Sequence, residues 1–139
     1  MTVRDHNLET VAPILATFKI KQTSSVDDLK DTNIGEAVAI TGNYEVGPLA
    51  DSGQLLGKLI SLTLSDADDG ERLAAVQIGG VCRLKVSATV PAIGNRVVGG
   101  GNGTVKQAPT VASDPAGGNI ARGTVLEVNG STDCIILLN

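Results

Sequence analysis

The chain has 139 residues, 42% of them hydrophobic, yet Phe18 and Tyr44 are its only aromatics and it contains no Trp. Its 11 basic and 15 acidic residues are interspersed and leave a formal charge of −4, which excludes the clustered Lys and Arg with stacking aromatics that phosphate backbones require. The length allows one compact domain, or two halves sharing a core of Val, Ile, Leu and Ala, and the 17 glycines between short apolar runs predict an all-β barrel or sandwich.

Residues 1–30 read as an N-terminal arm and linker, with Leu8, Val11, Ile14, Leu15, Phe18 and Ile20 set among polar neighbours. Pro13 opposes a long helix, and the alternation of Leu15, Thr17 and Lys19 against Ala16, Phe18 and Ile20 predicts a strand. TSSVDDLKDTN then reads as a polar linker or a single helical turn, capped by Ser25 with Asp27 and Asp28 at its positive end.

The remainder, 31–139, reads as one β domain. Strands are expected at EAVAIT, NYEVGP, GKLISLTLS and RLAAVQI, with DADDG (66–70) turning the last pair through Asp69-Gly70. Gly79 and Gly80 separate these from GVCRLKV, where Cys82, Leu84 and Val86 alternate with Arg83 and Lys85 as in a strand buried on one face. A second group of strands follows from Pro91 to the C-terminal ILL, with TVASDPAGGN (110–119) as a projecting loop.

These two groups are copies. IGEAVAITGNYEV from Ile34 matches IGNRVVGGGNGTV from Ile93 at one constant offset, LGKLISL from Leu56 corresponds to RGTVLEV from Arg122, and each copy finishes in another strand-like run, LAAVQI from Leu73 and CIILL from Cys134. The repeat therefore spans about 34–78 and 93–138, leaving open whether it folds as one barrel or two.

The motifs that suggest chemistry fail on spacing. Counting DADDGE as a calcium loop from Asp66 puts Glu71 at the position reserved for Gly and Gln77 at that of the carboxylate, so it reads as a solvated turn. GGGNG (99–103) is followed by Thr104-Val105-Lys106, which breaks the order of a phosphate loop, and its match to Gly42-Asn43 makes it a hairpin turn. Asn102-Gly103-Thr104 and Asn129-Gly130-Ser131 match the glycosylation pattern but read as turns. Cys82 and Cys134 read as small buried hydrophobes, and His6, the single histidine, lies in the arm, where no general base is held in place. The expectation is therefore no enzyme, no metal and no cofactor. No leader pattern opens the chain and no apolar run reaches membrane-spanning length, so a soluble protein made in the cytosol, without membrane contact, is expected.

The order of motifs, GKLISLTLSDADDGERLAAVQIGGVCRLKV, then IGNRVVGGGNGTV, then IARGTVLEVNGSTDCIILLN, resembles the small β proteins of tailed phages that decorate, or cement, the head. The resemblance covers 34–139 and rests on Gly57, Gly70-Glu71, Gly80-Val81, Ile93-Gly94 and Arg122-Gly123-Thr124. It implies a β-barrel or tulip-like body with an extended N-terminal arm, commonly a homotrimer. Such a body binds the major capsid protein on the outer surface of the virion at three-fold and quasi-three-fold sites. On this reading Leu8, Val11, Ile14, Leu15, Phe18 and Ile20 form the capsid-binding arm, adding a strand to a neighbouring capsid protein while their side chains fill alternate pockets. The alternative for Phe18 and Ile20 is that they pack on their own barrel. Competing functions are a head-fibre, neck or tail component, and a small ligand-binding barrel with 110–119 as a lid.

Overall fold

The computed structural model describes residues 13–63, 72–109 and 120–139. The turn expected at 66–70, the loop at 110–119, Leu8, Val11 and His6 lie outside them. Among the described residues the fold is all-β: β1 (Ile14–Ile20), β2 (Gln22–Thr23), β3 (Val26–Asp27), β4 (Ala37–Gly42), β5 (Glu45–Pro48), β6 (Gly57–Leu62), β7 (Leu73–Lys85), β8 (Val97–Gly101), β9 (Thr104–Gln107), β10 (Thr124–Asn129) and β11 (Asp133–Leu138).

The first barrel closes completely. β4 pairs antiparallel with β5 and with β6, β6 with β7, and β7 with β1, while β1 returns parallel to β5 through Lys19↔Glu45 and Ile20↔Val46. The second follows the same path with thinner seams. The C-terminal half of β7 pairs with β11, β11 with β10, and β8 with β9, and the ring is completed by the single bridges Val97↔Arg122 and Val86↔Val105. Two small barrels thus share one long strand.

The duplication is expressed bond by bond. Val38↔Pro48 recurs as Val97↔Gln107, Ile40↔Val46 recurs as Gly99↔Val105, and both hairpins shift register at the next step, before Gly42 and before Gly101.

 The pair Ala39↔Gly47 between them likewise recurs as Val98↔Lys106. β6 and β10 carry the same bulge, at Ile60 and at Leu126, and the backbone N–H groups of Gly35 and Gly94 donate to the carbonyls of Leu59 and Val125 at 2.7 and 2.8 Å. The cores correspond position by position: Ile20, Val38, Val46, Leu59, Ala74 and Val76 fill the first barrel, and Val86, Val97, Val105, Val125, Cys134 and Ile136 fill the second.

This equivalence reaches further back than the sequence motifs. β1 pairs with the first half of β7 as the second half of β7 pairs with β11, so that Ala16↔Val76 matches Cys82↔Ile136 and Phe18↔Ala74 matches Leu84↔Cys134. ILATFKI is therefore the counterpart of GVCRLKV. The stretch 1–30, read from sequence as an arm and linker, contains a barrel strand at Ile14–Ile20, because closing the first barrel requires a strand between β5 and β7. The linker differs from expectation as well. Ser24 and Ser25 both take positive φ, 53° and 64°, and turn the short β2–β3 hairpin, while the helical turn comes later, at Asp31–Asn33, with the Lys30 N–H donating to Asn33 Oδ1 at 2.8 Å.

Gly79 and Gly80 do not divide the strand as expected. Gly79 pairs with Ile14 and Gly80 with Leu138, so β7 runs from one barrel into the other as one strand, with a bulge opposite Ile14 and Leu15, and Gly80 takes φ 84° at the crossing. Gln77, the buried polar side chain beside this crossing, donates from Nε2 to the carbonyls of Gly79 and Val81, both at 3.0 Å. That pays the hydrogen bonds a buried amide must make.

Candidate interaction surfaces

Strand β1 carries four of the six residues expected in the capsid-binding arm. Ile20 is buried in the first core and Phe18 packs against it half-buried, whereas Ile14 and Leu15 are 58% and 55% exposed. Leu8 and Val11 lie outside the described residues. β7 pairs along β1 from Ile14 to Lys19, but β5 reaches only Lys19 and Ile20. Among the described residues the start of β1 therefore has a strand on one side and none on the other, next to two exposed aliphatic side chains.

The barrels are held together by backbone contacts as well as by β7. The segment after β5 runs along β8, where the Ser52 N–H donates to the Gly99 carbonyl and the Gly99 N–H to that of Gly53, both at 2.8 Å. The Ala37 N–H donates to the Gly103 carbonyl at 2.9 Å, and Lys106 Nζ meets Asp51 Oδ1 at 2.8 Å. Leu49 and Leu55 then complete the core of the second barrel. Arg122 clasps the same junction from the other side, its guanidinium donating to the carbonyls of Leu56 and Ile78 and, at 3.4 Å, to Leu55. Burial lowers its pKa, with Cys82 opposing that shift.

Concavities among the described residues include the following three. One of about 190 Å3 is polar, lined by Lys19, Gln22, Asp27, Glu45 and Arg72. A second, of about 400 Å3, lies beside Arg122 and is lined by Ile40, Gln54, Leu55, Leu56 and Ile78. The third, about 390 Å3, involves Ser52, Thr89, Lys106 and Gln107. Among the described residues no three His, Cys, Asp or Glu side chains gather as metal ligands, and no helix is long and apolar enough to cross a membrane. Cys82 and Cys134 are buried and form no disulfide, and the Cys134 thiol is pushed up to about 12 by burial, then by Cys82 and Asp133. A thiol held protonated in this way is a poor nucleophile.

No family model matches the chain, and no curated protein or solved structure does. The surface has to be read from its own chemistry. The sequence reading gave Ile40, Tyr44 and Arg122 no role at a surface or junction. The repeat held the signal for two of them, since Ile40 and Tyr44 stand where the second copy has Gly99 and Gly103.

Proposed function

We propose that this protein is a structural capsid decoration protein, binding the outer surface of a phage head as a self-associated assembly, commonly a trimer, and stabilising the shell. The observation that carries this reading is the edge at the start of β1 that no described residue pairs. It sits on a closed double barrel, is flanked by exposed Ile14 and Leu15, and offers backbone groups to a strand of the major capsid protein. Repetition of such a contact over a symmetric shell turns modest single affinities into firm attachment. The resemblance of the glycine motifs from Gly57 to Gly123 to those of head decoration proteins supports the same reading. On it, the chain is made in the host cytoplasm and ends on the virion surface.

The test is to mix purified protein with expanded, undecorated heads. Saturable binding at symmetry-related sites is expected, and its absence ends the proposal. A deletion that probes the arm must stop at residue 12, because removal of Ile14–Ile20 takes a strand out of the first barrel. Substitution of Ile14 and Leu15 by Ser, with the fold retained, should weaken head binding; unchanged binding would place the contact elsewhere.

The cleft beside Arg122 favours a second reading, a small ligand-binding barrel, because its volume of about 400 Å3 falls within the range of small-molecule sites. A thermal-shift screen against metabolites and sugars separates the two, since a ligand of the native state raises the midpoint with concentration.

A further inference from the structure

The cleft beside Arg122 is built where the barrels join. Ile40 comes from β4, Gln54, Leu55 and Leu56 from the segment before β6, Ile78 from the shared strand β7, and Arg122 from the approach to β10. Its walls are aliphatic: Leu55 is buried, Leu56 and Ile78 are half-buried, and Ile40 and Gln54 are exposed. The repeat singles out the arginine. Arg122 holds the position that Leu56 holds in the first copy, the Leu56 N–H donating to the Val38 carbonyl at 2.9 Å and the Arg122 N–H to that of Val97 at 3.0 Å. Where the first copy has an aliphatic side chain, the second sets a cation on an apolar wall.

That cation lacks a counter-charge. Arg72 and Arg83 each meet an aspartate, Asp31 and Asp133, at 2.7 Å, whereas no carboxylate among the described residues pairs with Arg122. Its partners are the carbonyls of Leu55, Leu56 and Ile78, which offer dipoles and no charge. They occupy both hydrogens of Nη1 and one of Nη2, so the Nε–H and the other Nη2–H have no acceptor among the described residues. A guanidinium that has lost part of its hydration gains most from an anion, and the two oxygens of a carboxylate suit a pair of N–H donors on its planar fork. The lowered pKa of Arg122 agrees, since burial is its main cause.

We propose that this cleft binds a small aliphatic monocarboxylate, its carboxylate on Arg122 and its chain against Leu55, Leu56, Ile78 and Ile40. The inference rests on the second reading above, the ligand-binding barrel, and names the class of its ligand. A site of about 400 Å3 with apolar walls and few polar groups is of the kind that holds a small molecule in one orientation.

Titration calorimetry of the full chain with acetate, butanoate, hexanoate and octanoate tests the proposal. Saturable binding is expected, tightening about fourfold with each added methylene. Octan-1-ol, with the same chain and no charge, should bind at least about tenfold more weakly than octanoate. Arg122→Met should abolish the binding but also loosens the junction, so a second variant is needed. Gln54→Glu sets a carboxylate at an exposed loop position of the cleft and should weaken octanoate by about tenfold or more without lowering the thermal midpoint of the free protein. Ile93→Ser, at an exposed site outside the cleft, should leave binding unchanged. An octanoate dissociation constant above about 1 mM overturns the proposal, as does octan-1-ol binding equal to octanoate, or a Gln54→Glu protein that binds octanoate as tightly as the wild type. Metabolites or sugars that raise the thermal midpoint while no carboxylate does so sink this ligand class and leave the ligand-binding barrel standing. Silence from every compound ends both.

Discussion

Gly99 lies so close to Ala50 that a Cβ on Gly99 would overlap the Ala50 carbonyl oxygen and stand 2.8 Å from Leu49 Cγ. The contact joins the two barrels through backbone, with no room for a side chain between them. Gly99→Ala must therefore push the segment off β8 and break the hydrogen bonds that tie Gly99 to Ser52 and Gly53. A loss of about 2–4 kcal/mol is expected in denaturant unfolding. A loss below about 0.5 kcal/mol would mean that the barrels do not approach this closely.

Arg122 should resist conservative replacement. Its planar fork serves carbonyls on two separate segments, those of Leu56 and Ile78. A lysine places one compact ammonium where that fork is needed. Arg122→Lys and Arg122→Met should both cost about 2–4 kcal/mol through carbonyls left without donors. Full stability in the lysine variant would show that charge alone holds the junction.

The buried Cys134 thiol gives the protein an alkaline weakness. Its pKa rises from 9.0 to about 12 on folding, so the unfolded chain gives up this proton while the native chain keeps it. Unfolding releases a proton between those two values. The contribution of Cys134 is thus complete below the unfolded value and is lost as the pH climbs toward about 12, with a slope of at most about 1.4 kcal/mol per pH unit. Cys134→Ala lowers stability at neutral pH but should flatten this alkaline slope, as measured by urea unfolding across the window. An equally steep slope in the variant would assign it to other groups.

Val38 and Val97 are fully buried at equivalent positions of the two cores. Truncation to Ala at either should cost roughly 2 kcal/mol. Because β7 belongs to both barrels, each variant should still unfold in one transition by every probe. Separate transitions for the two halves would contradict that coupling.

How much of this could be read in the chain is best seen strand by strand. The hairpins at Ala37–Pro48 and Val97–Gln107 were legible because turns demand particular residues, so Gly42-Asn43 and Gly101-Asn102 mark both copies. The match between ILATFKI and GVCRLKV was not. A barrel strand needs only an inward apolar series, and Ala16, Phe18 and Ile20 meet that need with different residues from Cys82, Leu84 and Val86. The Ser24-Ser25 turn was missed for a related reason. Serine is also a helix cap, and only the Gln22↔Asp27 pairing decides between the two roles. Of the proposed arm, the sequence marked Ile14, Leu15, Phe18 and Ile20 as apolar; their division into exposed and buried pairs comes from the barrel they help to close.

By itself the sequence determined the class of structure and its duplication, because alternation, β-branched composition and turn glycines act over a few residues at a time. Tertiary structure decided that there are two barrels on one continuous strand, and that the first docks on the second through Gly99 and Gly103, where its own equivalent positions carry exposed Ile40 and Tyr44. Those outcomes rest on pairings between distant segments, Ile20 with Val46, Val86 with Val105 and Ala50 against Gly99, and no local pattern encodes which distant backbone will arrive.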